Sequence, residues 1–182
     1  MGLFGKHDSS YWYEKGSKYL IKSKDADRFD KALECFDKAI EIDPKNLLAW
    51  NMKSIEVCRK KKYEDTIECC NKVIEIYQSY QGARFNQIFL TNAWGRKGFA
   101  LGKLGLYQKA IDCYDEALKI KFDDEYLSDK KACLEKMGKS INIIKNSKTE
   151  KETESNNQSV DDRKDNQSLS DEPTSKSRRM FR

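Results

Sequence analysis

Cys35, Cys69 and Cys113 stand at the same place in three similar stretches: ALECFDKAIEIDP from Ala32, TIECCNKVIEIYQ from Thr66 and AIDCYDEALKIKF from Ala110. Thiols at a regular spacing could bind a metal, act as nucleophiles or pair as disulfides. A zinc site needs several Cys or His ligands, commonly with a C-x-x-C pair, and a thiolate nucleophile needs a base such as histidine. No C-x-x-C pair occurs, and the only histidine, His7, lies in a segment expected to be flexible, residues 1–9. Adjacent Cys69 and Cys70 would point about 100° apart on a helix, which does not suit a vicinal redox pair. The six cysteines are therefore read as reduced thiols that serve as small buried hydrophobes.

Other stretches imitate catalytic motifs without completing them. GFALGKL, from Gly98, is one residue short of a phosphate-binding loop and has Leu104 where Ser or Thr would hold magnesium. The acidic run at Asp123 opens a helix, where carboxylates favour the positive end of the dipole. With a single histidine near the N-terminus, no Ser-His-Asp set can form elsewhere. Neither catalytic residues, nor a cofactor, nor a bound metal is expected, and enzyme activity is disfavoured.

Composition bounds the remaining classes. The chain has 182 residues, 38% hydrophobic and 36% charged, with two prolines and nine glycines, a balance that suits one soluble helical domain. Its apolar runs fall short of the roughly 18 residues a membrane-spanning helix needs, so a cytoplasmic location is the default expectation. Gly2 invites N-myristoylation, but Lys6 stands where that pattern wants Ser or Thr. The net charge is +5; 8 of the 35 basic and 8 of the 30 acidic residues lie from Asn146 onward, which leaves 27 against 22 before it. The basic surplus thus belongs to the folded part and favours an acidic partner.

The elements that carry these residues recur as a whole. Trp12, Trp50 and Trp94 open matching upstream segments, WYEKGSKYL, WNMKSIEVC and WGRKGFALG. Each tryptophan is followed after four residues by Gly16, Ser54 or Gly98, and after seven by Tyr19, Val57 or Leu101. Downstream come Ala32, Thr66 and Ala110, then Phe36, Cys70 and Tyr114, then Ala39, Val73 and Ala117. Cys35 and Cys69 are 34 residues apart and Cys69 and Cys113 are 44 apart, the same period with ten inserted. A fixed period of this length marks a repeat architecture, and the 3.6-residue spacing of apolar positions makes each unit two helices.

The pattern Trp, Gly, Tyr, Ala, Phe, Ala and Pro44 resembles the tetratricopeptide repeat over residues 10 to about 124. The resemblance implies an all-α fold: a right-handed superhelical stack of three helix-turn-helix units, about 10–44, 47–80 and 91–124, closed by a C-terminal capping helix at 125–145. Leu127, Leu134, Met137 and Ile141 are expected on the inner stripe of that cap. The sequence departs from the family at Lys15, Lys53 and Lys97, which replace leucine and whose stems can cover the helix pair while the ammonium reaches water. The second unit lacks the glycine and the first alanine, so its helices are expected to sit further apart. Four extra residues in SKDADRFD are expected to lengthen the first turn, and ten around YQGARFNQIF to extend the helices beside them. Repeat spacing also predicts that Cys35, Cys69 and Cys113 lie beyond the Cα separation of roughly 7 Å that a disulfide tolerates. Residues 146–182 are almost without apolar side chains and are expected to be a disordered polar tail.

In the family, the first helices of successive repeats line a concave groove that holds a peptide. Carried over, that groove comprises Tyr13, Ser17, Leu20, Asn51, Met52, Ile55, Arg59, Asn92, Arg96, Phe99 and Lys103. Arg59, Arg96 and Lys103 suit carboxylates, and Tyr13, Met52, Ile55 and Phe99 suit apolar anchors. The expected function is a non-catalytic adaptor or scaffold for an acidic or amphipathic peptide of a partner protein. Family members that grip the acidic tails of heat-shock chaperones use Lys, Asn, Asn, Lys and Arg; the corresponding residues here are Tyr13, Ser17, Met52, Asn92 and Arg96, and only the arginine agrees. The alternative is nucleic-acid association through the basic clusters at 59–62 and 176–182, disfavoured because no stacking aromatics accompany them.

Overall fold

The computed structural model describes residues 8–22, 27–80 and 86–140, and every regular element among them is a helix. The order is α1 (Ser9–Lys22), α2 (Arg28–Ile42), α3 (Leu47–Arg59), α4 (Tyr63–Ser79), α5 (Ile88–Lys103), α6 (Tyr107–Ile120) and α7 over residues 124–140. Each helix packs against the next in sequence, and α3 also touches α5, so the pairs α1/α2, α3/α4 and α5/α6 stack in order. The chain divides after Met137 into this repeat unit and a segment, 138–182, of which only 138–140 are described. Residues 1–7 of the expected flexible N-terminus, 1–9, and the expected polar tail lie outside the described residues; Ser9, by contrast, opens α1 and is buried.

Small residues set the spacing within each pair. Ala32, Ala39, Ala110 and Ala117 are fully buried, and Phe36 and Tyr114 fill the space beside them at 0% and 2% exposure. Between the second and third pairs, Leu47, Cys70, Val73, Ile74, Ile76 and Tyr77 form one core with Ala93; Leu101, Ala110, Ile111, Cys113 and Tyr114 form the next with Cys133 of α7. Burial of this apolar surface is the main favourable term for a helix too short to persist alone.

The turns inside the second and third units share one stop signal. The Lys62 amide donates to Val57 carbonyl oxygen at 3.0 Å and the Lys61 amide to Cys58 at 2.9 Å; Leu106 donates to Leu101 at 2.9 Å and Gly105 to Gly102 at 3.2 Å. This double bond closes a helix through one left-handed residue, here Lys61 at φ 59° and Gly105 at φ 77°. Pro44 contributes to a polar joint between the first two units. Its carbonyl accepts the Trp50 indole N–H at 3.0 Å, Asn46 caps α3 by accepting the Ala49 amide at 2.9 Å, and the Asn46 amide donates to Ser9 Oγ at 2.7 Å. Ser9 in turn donates to the Ala39 carbonyl at 2.7 Å, tying the start of α1 to the end of α2.

Both insertions are shared between helices and loops. Relative to the conserved spacing around Trp50 and Trp94, α1 ends one residue later and α2 begins one earlier, so only part of the first insertion lies in the turn. The ten-residue insertion extends the end of α4 and the start of α5 by about one turn each. The rest lies between them, where residues 81–85 are outside the described set.

The capping helix requires a correction. It begins at residue 124, and Leu134, expected on its inner stripe, is 43% exposed. The packed stripe is Tyr126, Cys133 and Met137, which join the core of the third pair; of these only Met137 is expected from the sequence, and Leu127 is half-buried. Tyr126 sets this rotation: its ring stacks on Tyr114 at 6.3 Å between centroids, and its hydroxyl donates to Asn92 Oδ1 at 3.2 Å. It occupies the space that a side chain at Gly95 would need. Ile141, also expected on the stripe, lies outside the described residues.

Candidate functional site

All ten of the principal groove candidates, with Leu20, stand on α1, α3 and α5, the first helices of the three pairs. Their surroundings differ. Tyr13 packs on Phe36 at 6.2 Å between ring centroids, and the Ser17 hydroxyl donates to the Tyr13 carbonyl at 3.0 Å, so both keep their contacts within the first pair. Met52 and Ile55 are half-buried. Asn51 is 8% exposed, and its Oδ1 accepts no hydrogen bond among the described residues.

The candidates on α5 are brought together with other elements. The Arg96 guanidinium donates through Nη1 to Ser54 Oγ of α3 at 2.8 Å, a contact 42 residues long in sequence. Asn92, one turn earlier, is held by Tyr126 of the cap at 3.2 Å. Phe99 is 37% exposed, meets Tyr63 edge-on at 6.4 Å and carries Lys103 Nζ over its ring at 4.9 Å. Arg59 lies over Phe29 at 4.6 Å, with half of its side chain exposed. A cation over an aromatic face is stabilised by the ring quadrupole yet keeps its N–H donors for another group.

Ser54, Tyr126, Phe29 and Glu56 escaped the sequence reading. Ser54 stands where the other units carry glycine, and that absence was the available signal; its hydroxyl bonds its own helix through the Asn51 carbonyl at 2.6 Å and also receives Arg96. Glu56 gave no signal, since acids on a helix are ordinarily exposed. Its side chain is 1% exposed, its Oε1 lies 3.6 Å from Arg59, and its Oε2 accepts no hydrogen bond among the described residues.

Burial raises the Glu56 pKa above 4.5, with Arg59 and Lys60 opposing the shift. Folded Glu56 therefore holds its proton to a higher pH than the unfolded chain does. The cost of burying the charge is absent below the ordinary carboxylate range and complete above the folded pKa, so its contribution to stability falls as pH rises through that window. Glu56→Gln, which removes the buried charge and keeps the shape, is expected to stabilise the fold at neutral pH by about 1 kcal/mol. Urea unfolding of both proteins from pH 4 to 8 checks this: the difference is expected to shrink toward pH 4, and a difference independent of pH would contradict it.

The thiols sit as the small hydrophobes they were read to be. Cys35, Cys69, Cys70, Cys113 and Cys133 are buried and Cys58 is half-buried, all six free. Burial pushes the Cys69 thiol up to about 12 and Cys70 up to about 11, the second despite the neighbouring Arg96. Thiols with so little thiolate at neutral pH are poor nucleophiles. The basic run at 59–62 is largely engaged as well: Arg59 faces Glu56, Lys60 pairs with Asp30, and Lys62 pairs with Asp65 at 3.8 Å. No described helix is long and apolar enough to cross a membrane.

Stacked helix pairs with successive cores, and with α3 touching α5 among the first helices, define a helical-repeat solenoid of the kind that presents a surface to other proteins. Residues 9–46 and 91–124 match family models of the tetratricopeptide repeat, so the chain carries tetratricopeptide repeats in its first and third helix pairs. It is 31% identical over 115 residues to stress-induced-phosphoprotein 1 of Caenorhabditis elegans, a match covering 63% of this chain and 34% of the relative. The chain thus spans about a third of that relative's length. Among solved structures, the N-terminal domain of stress-induced protein-1 from C. elegans superposes with a TM-score of 0.57 at 25% identity, covering 69% of this chain and 93% of the other. The first repeat domain of Spaghetti (RPAP3), solved with the HSP90 peptide SRMEEVD, superposes with a TM-score of 0.59 at 22% identity, covering 74% and 99%.

Proposed function

We propose that this chain is a non-catalytic adaptor that binds an acidic or amphipathic peptide segment of a partner protein on the face formed by α1, α3 and α5. The observation that carries the reading is the arrangement on α5: Arg96 anchored to Ser54, with Phe99 and Lys103 beside it as a half-exposed aromatic and a cation. Arg96 is positioned by α3 before any ligand arrives, which reduces the ordering cost of binding. Lys103 and Arg59 supply further positive charge, and Met52, Ile55 and Tyr13 supply apolar surface. The likeness to a domain bound to SRMEEVD supports a peptide ligand. The residues here depart from the chaperone-tail set at four of its five positions, which favours a different sequence. SRMEEVD itself is expected to bind no tighter than roughly 100 μM.

The test is capture from cell lysate, with and without nuclease, by the wild-type chain and by the triple variant Arg59→Glu, Arg96→Glu, Lys103→Glu, checked for retained helicity. A captured protein is expected to be lost from the variant whether or not nuclease is present, and its binding segment, as a synthetic peptide, to bind the variant at least tenfold more weakly. Capture that survives the variant but vanishes with nuclease would overturn the reading in favour of nucleic acid. Peptide SRMEEVD binding in the low micromolar range would overturn the specificity.

A further inference from the structure

In every unit a lysine follows the tryptophan by three residues, and its ammonium lies over the indole: 4.9 Å for Lys15 on Trp12, 5.4 Å for Lys53 on Trp50 and 4.9 Å for Lys97 on Trp94. Residues three apart share a helix face, and the pairing repeats because the helix does. The counter-charge does not repeat. Lys53 Nζ reaches Asp37 of the preceding pair at 2.7 Å, and although burial works against its charge, Asp37 leaves its pKa raised. The position one period after Asp37 is Asn71.

Asn71 and Lys97 line a cavity of about 460 Å³ between α4, α5 and α6, whose apolar part is made by Ile67, Trp94 and Leu101. Two charges of each kind decide its polarity. Lys97 and Lys109 line the cavity and make no ion pair among the described residues. Of the two carboxylates there, Glu116 is paired with Lys119 at 2.5 Å, whereas Asp112 accepts only the neutral Gln108 amide, at 3.0 Å, and keeps its charge. Two unpaired cations thus stand against one unpaired carboxylate, and the recess is net positive beside an apolar floor.

We propose that this recess is a second docking site, separate from the α1/α3/α5 face, that takes an acidic–apolar element of a partner peptide. The peptide carboxylate lies on Lys97 as Asp37 lies on Lys53, with the Asn71 amide as a second donor. The adjoining aliphatic side chain covers Ile67, Trp94 and Leu101. A charge-assisted contact beside a partly desolvated cation selects carboxylate over its neutral amide.

The full-length chain, labelled with ¹⁵N, provides the test through the indole N–H signal of Trp94, assigned by Trp94→Phe. Acetyl-Leu-Glu-amide is expected to move that signal with millimolar affinity, and acetyl-Leu-Gln-amide to bind at least fivefold more weakly. Asn71→Asp, which restores the internal counter-charge, is expected to weaken the glutamyl peptide about tenfold, while the Arg59, Arg96, Lys103 triple variant binds it as the wild type does. Unmoved Trp12 and Trp50 signals report that the variants are folded; Lys97→Met, which keeps most of the stem, serves if Asn71→Asp does not fold. Equal binding of the two peptides, a Trp94 signal unmoved at about 20 mM, or equal displacement by inorganic phosphate would overturn the proposal. Because the triple variant bears only on the other face, failure here and failure of the groove reading are distinguishable.

Discussion

Tyr114→Ala is expected to lower the unfolding free energy by about 3–5 kcal/mol and to release α7 from the stack. Tyr114 is 2% exposed and joins three elements. Its ring fills the space left by Gly98 on α5, where an added Cβ would meet it at 3.0 Å, and stacks on Tyr126 of α7. Its hydroxyl approaches Asp129 Oδ2 at 3.3 Å, and burial holds its pKa well above the ordinary phenol value. Removing the ring leaves a cavity that rigid helices close only partly, and it removes the surface on which Tyr126 rests. Tyr114→Phe, which keeps the ring, is expected to cost only about 1 kcal/mol because the lost hydrogen bond is long. Urea denaturation measures both, and hydrogen exchange locates the effect. Amides of residues 126–137 that keep their wild-type protection in Tyr114→Ala would contradict the account.

The second large effect is expected at Gly16. A Cβ there would lie 2.7 Å from Phe36 Cε1 and 3.1 Å from the backbone oxygen of Ala32. Phe36 is fully buried, so its ring has no space to move into, and the Ala32 oxygen belongs to α2 itself. Gly16→Val is expected to destabilise the chain by about 3 kcal/mol through overpacking, and the better helix propensity of a non-glycine residue does not offset it. Phe36→Leu is expected to recover part of the loss in the double variant, although it is destabilising alone. A double-mutant cycle with no coupling between the two sites would show that the close approach is not the cause.

That cycle also bears on the most informative departure in the sequence. Gly16 faces Phe36, Gly98 faces Tyr114, and the corresponding second-unit pair is Ser54 with Cys70. A smaller partner across the pair makes room for the serine side chain, which is 0% exposed. This exchange of volume accompanies the loss of glycine that is expected to set the second pair further apart. The hydroxyl gained by the exchange is the one that positions Arg96.

The sequence by itself determined what is periodic. Tryptophan, small residue and aromatic recur in register, so the three helix pairs and their order could be read from spacing, whereas the groove candidates on α1, α3 and α5 followed from the family resemblance that the spacing carries. Local chemistry also marked the first joint through Pro44, whereas the Asn46 cap and the left-handed Gly105 emerged with the structure. Only the tertiary structure decided which member of a repeated set differs in its partner. Lys15, Lys53 and Lys97 are one residue type at one position, yet the ion pair of Lys53 comes from Asp37 in another unit. The cap lacks the repeated pattern, and so its rotation, with Tyr126 inward and Leu134 outward, depended on the space at Gly95. Glu56 is buried and Arg96 is anchored for the same reason. Helical periodicity is a property of one chain segment, whereas burial and charge pairing depend on what the neighbouring segment leaves open.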